Sequence, residues 1–519
     1  MFRAEMLKRV HSREKVWDFI VIGGGATGVG CAVDAASRGF DVLLLEQNDF
    51  GKGASSRSTK LVHGGVRYLA QGNVALVREA LRERGILFKN AAHLVEIQSF
   101  IVPCYSLWQS FFYGAGLKTY DLLSGKYSFG KSKILSTKET LDKIPNLKSK
   151  NLRGAVVYFD GQFEDARLLI NLATTAFEQG ATVLNYAEVT ELTKNASNKI
   201  EGVKFRDAET NQEFYAKAKI VINATGAFCD AVRRLSDKNA PRIISPSQGI
   251  HLVFDKSFLP TENALMIPKT SDGRVLFAVP WQGKTLIGTT DTSIAKPELE
   301  PKALDKEIEF ILEIAQNYLA KPPCRADILS IFAGIRPLVK KNAAKNTAAL
   351  ARDHTIEIDE SNLLTITGGK WTTYRRMAED AIDNAIIKVN LPEKPCATKN
   401  LSIHGSGKDA KCFGNLRIYG SDAEKIQRLI DENPHLGEKI HPDLSFCLAE
   451  IVWAARFEMA RSVEDVLARR TRALFLNAQA AIESAPKVAE IMAWELFKDK
   501  DWIDGQIREF NSVAQKYLL

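Results

Sequence analysis

Apolar residues run unbroken from Phe19 to Ile22 and again from Val42 to Leu45, separated by a glycine-rich turn and a mixed stretch through Ala36. Short apolar runs bounded by turn residues read as strands buried on both faces, so the pattern predicts strand, turn, helix, strand. Two distant segments repeat the first half of it. "AKIVINATG" ends a buried strand on Ala224, Thr225 and Gly226, and "LLTITGGKWTTYRRMAEDAID" joins a strand to a helix through Gly368 and Gly369. "IHLVFD", "RVLFAVPW" and "KTLIGTTD" instead read as the strands of an antiparallel sheet. Beyond Pro392 to Pro395 and a Gly, Ser and Lys-rich join the remainder has helical periodicity, with Ser462 to Asp465 spaced as a capping box.

The glycines of the first turn, Gly23, Gly25 and Gly28, stand at GxGxxG spacing, and the second strand ends on Glu46. The first glycine makes the tight turn, the second lets backbone approach a pyrophosphate, and the third packs helix against strand. Free N–H groups of the helix then face the phosphates, and Glu46 is placed to accept bonds from ribose hydroxyls. This unit alone leaves NAD and FAD open. The two distant strand-to-glycine segments, with candidate contacts at Thr225, Gly226, Gly368, Gly369 and Lys370, favour FAD, because a nicotinamide domain is usually one contiguous block.

With 519 residues the chain exceeds one hydrophobic core and predicts two or three domains. We expect an α/β protein with a discontinuous Rossmann-like cofactor domain (15–92, 152–240 and 328–389). An inserted antiparallel-sheet substrate domain (93–151 and 241–327) and a C-terminal helical domain (390–519) complete it. The formal charge of +8 suits anionic small molecules or an anionic lipid surface and is too diffuse to argue for nucleic acid. Seven cysteines without a CxxC pair indicate a reducing compartment, neither a disulfide framework nor a metal site. The N-terminus does not read as a secretory signal, and the uncharged run from Ile97 to Leu117 is too interrupted by Pro103, Gly114, Gly116 and polar residues to span a membrane.

Between the first strand pair and the inserted region lies "GKGASSRSTKLVHGGVRYL". Ser55, Ser56, Ser58 and Thr59 offer hydroxyls and amides to a passing cofactor, and Gly64 and Gly65 let the chain approach a ring system. This stretch resembles the FAD-dependent sn-glycerol-3-phosphate dehydrogenases. The likeness continues through "GQFEDARLLINLA", "SPSQGIHLVF", "IGTTDT", "AGIRPL", "ARDHTI", "GGKWTTYR" and "ARRTRALFL", in order over essentially the whole length. Gln248 and Trp371 stand where other members often differ.

The resemblance implies a D-amino-acid-oxidase-like flavoprotein fold, non-covalent FAD, and oxidation of sn-glycerol 3-phosphate to dihydroxyacetone phosphate by hydride transfer from C2 to the flavin. It implies an anionic-substrate set of Arg67, Arg336, Arg352 and Lys370, with Tyr68 and Thr373 as hydrogen-bonding neighbours. Arg336 is expected nearest the alcohol. His63, or water held by Arg336, is expected to take the hydroxyl proton, since only histidine titrates unperturbed near neutral pH. His251, in an apolar strand, is the second candidate, facing the substrate. Gly65 is expected against the flavin.

Cys104, Leu107, Trp108, Phe111, Phe112 and Ala115 recur at helical spacing, with Lys118, Lys126, Lys131 and Lys133 beyond them. Such a stripe suits either a core helix or a helix lying in a membrane interface. The family resemblance favours peripheral attachment at the inner face of the cytoplasmic membrane, with quinone as electron acceptor. Oxygen as acceptor, an amino- or hydroxy-acid oxidase on the same scaffold, and a flavin-fold RNA-modifying protein are the alternatives. The oligomeric state stays open between a single chain and a homodimer.

Overall fold

Two large sheets and a helical tail make up the described residues, and the first sheet forms where the sequence places its buried apolar runs. The structure is a computed structural model that describes residues 1–69, 72–270, 273–340, 354–407 and 410–519. Trp17–Ile22 pairs in parallel with Val42–Leu45 on one side and with the end of Glu213–Asn223 on the other. Leu363–Gly368 and Thr182–Leu184 extend this parallel sheet outward, and His354–Ile358 closes one edge antiparallel. Helices Ala26–Ser37, Asp165–Glu178 and Tyr374–Lys388 pack together beside it. Because the central strands are covered on both faces, Phe19, Val21, Val42, Leu43, Leu44 and Val221 are all fully buried.

Among the described residues the second sheet has ten strands and is mostly antiparallel. Ile244–Asp255 lies between Lys284–Gly288 and Ser330–Val339, and Val95–Cys104 pairs along its whole length with Gly154–Phe163. Three of these strands differ from the expected domain limits. Leu61–Val62, Gly154–Phe163 and Ser330–Val339 fall within segments that the sequence assigns to the cofactor domain, yet all hydrogen-bond into the substrate sheet. Their apolar runs do not reveal which sheet they join, since pairing is decided by partners far away in sequence.

From Leu448 onward the tail is helical, and its core is continuous with the substrate sheet: Phe332 meets Phe475 at 4.8 Å between ring centroids. The capping box forms as its spacing predicts, Ser462 Oγ accepting from Asp465 N at 3.2 Å and Asp465 Oδ2 from Ser462 N at 3.0 Å. Leu107–Ser124 is a helix, but Cys104 belongs to the preceding strand and is buried. The stripe proper, Leu107, Trp108, Phe111 and Phe112, faces outward and is 52–79 % exposed. No helix among the described residues is long and apolar enough to cross a membrane.

Candidate active site

The carboxyl ends of three parallel strands meet at Ile22, Asn223 and Thr365, which are register neighbours. Gly23 follows the first with φ +113°, and a Cβ there would stand 2.7 Å from the Ala224 carbonyl oxygen. A Cβ on Gly28 would collide with the Gly23 carbonyl oxygen, so the helix can start this close to the strand only without side chains. Gly25 caps that helix, and Ser55 Oγ accepts from Ala26 N at 3.0 Å. Glu46 accepts from Gly24 N at 2.6 Å and from Asn48 N at 2.8 Å. Burial pushes its carboxyl up, partly offset by those two amides.

Around the other strand ends, Gly226, Gly368 and Gly369 have φ of +57°, +83° and +68°. Thr367 Oγ1 donates to the Gly226 carbonyl at 3.2 Å, and Thr225 Oγ1 donates to Asn223 Oδ1 at 2.7 Å. This bare cradle, opening on a helix N-terminus at the switch point of a parallel sheet, fits a dinucleotide pyrophosphate.

The strip that follows joins the edge of the second sheet at Leu61–Val62. Ser56 Oγ donates to the Gly51 carbonyl at 2.8 Å and Ser58 Oγ donates to Asp165 Oδ2 at 2.7 Å, so both hydroxyls secure the chain itself. Thr59 Oγ1 lies 2.8 Å from His251 Nε2. Trp371 Nε1 donates to the Ser55 carbonyl at 2.8 Å, and Thr372 Oγ1 accepts from His63 N at 3.2 Å. The strip is thus sewn to the segment carrying Gly368, Gly369 and Lys370. Gly65, at φ +75°, packs beneath Tyr68, where a Cβ would come within 2.7 Å of its ring.

The cations divide between two ends of this strip. Arg336 Nη2 donates to Thr289 Oγ1 at 3.1 Å and to the Thr290 carbonyl at 3.0 Å, and Nη1 lies 3.5 Å from Asp291. Its guanidinium sits over Gly249, where a Cβ would strike it. His251, in the same region, is 3 % exposed and stacks on Phe332 at 4.8 Å. Burial, then Lys60 and Arg336, hold its imidazole well below the usual histidine range, so it is neutral at pH 7. At the other end Lys370 Nζ stands 3.9 Å from the centre of the Tyr68 ring, close enough for a cation–π contact. Thr373 Oγ1 donates to the Lys370 carbonyl at 3.2 Å. Arg67 lies in the short helix Val66–Leu69, and Arg352 lies outside the described residues.

Comparison with known proteins identifies the family. A model of the FAD dependent oxidoreductases matches residues 18–373, and one for the C-terminal domain of alpha-glycerophosphate oxidase matches 364–502. A mitochondrial glycerol-3-phosphate dehydrogenase of Arabidopsis thaliana is 41% identical, covering 93% of this chain and 83% of its own. The chain belongs to the FAD-dependent glycerol-3-phosphate dehydrogenase family. The human mitochondrial glycerol-3-phosphate dehydrogenase is 40% identical over 97% of this chain and 73% of its own. Among solved structures, the glycerol-3-phosphate dehydrogenase of Bacillus halodurans complexed with FAD superposes with a TM-score of 0.81 at 29% identity, over 100% of this chain and 98% of that one.

Membership resolves the choice between NAD and FAD in favour of FAD, and the expected flavoprotein fold with a helical C-terminal domain is the fold observed. Several buried charged groups that contact the strip have no role assigned from the sequence. Lys60, with φ +65° and fully buried, donates to Asp165 Oδ2 at 2.7 Å and to the Ser56 carbonyl at 3.0 Å. Burial pulls its ammonium down to about 7 against the pull of Asp165. Arg472, from the tail, donates to the same Ser56 carbonyl at 2.6 Å. The signal for Asp165 was the "EDAR" of the family motif, and for Arg472 the "RRTR" of the tail.

Proposed function

We propose that this chain oxidises sn-glycerol 3-phosphate to dihydroxyacetone phosphate, and that it works docked on a membrane surface with quinone as acceptor. The observation that carries the reading is the strip Thr59–Tyr68: it follows the cofactor cradle, carries His63, and touches His251 through Thr59 at one end and Lys370 through Tyr68 at the other. Gly23, Gly25 and Gly28 would hold the pyrophosphate of non-covalent FAD, Glu46 the adenosine ribose, and Thr225, Gly226, Gly368 and Gly369 the extended remainder. When bound, FAD accepts the hydride that leaves C2 of the alcohol. His63 takes the hydroxyl proton at its ring nitrogen as the C=O bond forms. Arg336, already oriented by Thr289 and Thr290, faces the oxygen on which negative charge develops. Lys370, Arg67 and Arg352 supply cations to the phosphate dianion, whose paired oxygens match a guanidinium fork. Thr289 and Thr290, as acceptors, preorganise the Arg336 guanidinium, so the alkoxide meets a donor that is already oriented.

Support for the membrane comes from the outward stripe of Leu107, Trp108, Phe111 and Phe112, with Lys118, Lys126, Lys131 and Lys133 exposed beyond it. An apolar face bordered by lysines suits an anionic lipid interface, and we place it at the inner face of the cytoplasmic membrane. The test is anaerobic addition of glycerol 3-phosphate to purified holoenzyme while the flavin band is followed, then addition of a short-chain quinone or of air. We expect bleaching by substrate and rapid reoxidation by quinone. In Arg336→Ala the band stays and its bleaching slows at least a hundredfold. A wild-type band that substrate never bleaches removes the activity, and reoxidation by air as fast as by quinone removes the acceptor.

A further inference from the structure

The strip leaves its sheet just before it becomes functional. Leu61 and Val62 pair with Gln162 and Gly161, and the ladder ends there. Beyond it two successive backbone amides are held by side chains from other elements. His63 N donates to Thr372, and Gly64 N donates to the Tyr120 hydroxyl oxygen at 2.8 Å, with Asp160 Oδ1 further off at 3.3 Å. Tyr120 in turn donates to Asp160 Oδ2 at 2.7 Å, and Arg84 Nη1 donates to Asp160 Oδ1 at 2.7 Å. Tyr120, Asp160 and Arg84 are each 1 % exposed, and Arg84 is fixed further by the Tyr127 carbonyl at 2.7 Å and the Phe129 ring. A Cβ on Gly64 would collide with Leu81 and with the Tyr120 hydroxyl, so the backbone itself is pressed against the phenol.

We infer that Tyr120 is a positioning residue for the reaction: its hydroxyl, anchored by Asp160 and Arg84, fixes the course of His63–Gly65 beside the flavin. Moving the strip away from Tyr120 takes from Gly64 N its nearer acceptor and leaves a buried amide short of a partner. Burial, reinforced by Asp160, pushes the phenol well above its ordinary value, so it remains a donor to the carboxylate throughout the working range. Tyr120 also sits on the inner face of the helix Leu107–Ser124 whose outer face carries the exposed stripe, which makes that helix a wall of the site as well as a surface. The inference rests on the proposed reaction at the strip.

Tyr120→Phe keeps the ring and removes the hydroxyl. Displacements of about 1 Å in a reacting group cost on the order of a hundredfold in rate. We expect kcat per bound flavin to fall about tenfold or more, with KM for glycerol 3-phosphate changed less than threefold and flavin content as in the wild type. Asp160→Asn should move kcat in the same direction. Counting turnover per flavin separates positioning from loss of folded protein, since a purely structural role would lower flavin content and leave the remaining sites at full speed. A fall of less than fivefold per flavin in Tyr120→Phe, or a loss confined to KM, overturns the inference. If glycerol 3-phosphate fails to bleach the wild-type flavin, the proposed reaction falls instead, and the two failures are told apart by the wild-type control alone.

Discussion

Between Asp465 and Arg472 the chain buries Asp465, Arg469, Arg470 and Arg472 at 3 % exposure or less, whereas between Leu107 and Phe112 it leaves four large apolar side chains more than half exposed. Both regions reverse the usual partition of residue types. In the first, each ion has its counterpart: Asp49 Oδ2 takes Arg469 Nε and Arg470 Nη1 at 2.5 Å each, and Glu464 and Asp465 take the remaining donors of Arg469. Asp49 closely follows Glu46, so the tail grips the loop after the second strand of the cofactor sheet. Among the described residues the aromatic stripe stays more than half exposed. Buried charge here ties domains together, and the exposed rings face outward.

Breaking the first region should have the largest effect. Asp49→Ala leaves two buried guanidinium groups without their shared carboxylate, and breaking a buried pair from one side costs about 3–5 kcal/mol. The expected outcome is a markedly lower unfolding midpoint in denaturant and easier loss of flavin on dilution. An unchanged midpoint would mean that the Asp49 cluster contributes no hold of the tail on the cofactor domain.

The contrast also shows what could be read in the sequence. The cradle was legible because each of its residues answers a local demand: Gly23 a positive φ, Gly28 a close approach, Glu46 the end of a strand. The capping box at Ser462 and the stripe at Leu107 are likewise local, and both appear where spacing puts them. Asp49 with Arg470 was not legible, since 421 residues separate the partners and either charge alone reads as a solvated surface group. The same holds for Gly64 with Tyr120, and for Gly154–Phe163, whose sheet is decided by a strand elsewhere. Ser56 and Ser58 show the opposite difficulty: small hydroxyl residues near a cofactor motif read as ligands, and here their hydroxyls bind the protein's own backbone and Asp165.

A second joint between tail and cofactor domain is sensitive to pH. His404 lies between Glu178 at 2.7 Å, on the helix Asp165–Glu178, and Asp422 at 2.6 Å. Burial pulls its imidazole down, but the hydrogen bonds to Asp422 and Glu178 outweigh this and raise it to about 9. Its folded pKa therefore exceeds the unfolded value, so its stabilisation is complete below about pH 6.5 and is lost as pH rises through about 9. His93, held down to about 4 mainly by burial, stays neutral across that window, and Lys425 stays paired with Asp422 at 2.9 Å. We expect the difference in unfolding free energy between wild type and His404→Gln to shrink by about 2–3 kcal/mol from pH 6.5 to 9.5. A difference independent of pH would remove His404 from the joint.

The stripe yields the smallest change and the most selective one. Trp108 and Phe111 are 69 % and 66 % exposed, so Trp108→Glu with Phe111→Glu should leave the unfolding midpoint where it is. Against vesicles of anionic phospholipid the same double variant loses two rings from the interface and gains two repelled charges. Burying one aromatic side chain fully contributes about 1.5–3 kcal/mol, and an interfacial helix realises part of this, so co-sedimentation should weaken about tenfold or more. Raised salt should weaken the wild type further by screening Lys118, Lys126, Lys131 and Lys133, and should act less on a variant that binds little to begin with. Unaltered sedimentation would separate the stripe from the membrane. A lowered unfolding midpoint would show that these rings already have a partner in the folded protein, and the comparison between paired charge inside and unpartnered rings outside would then fail on its second half.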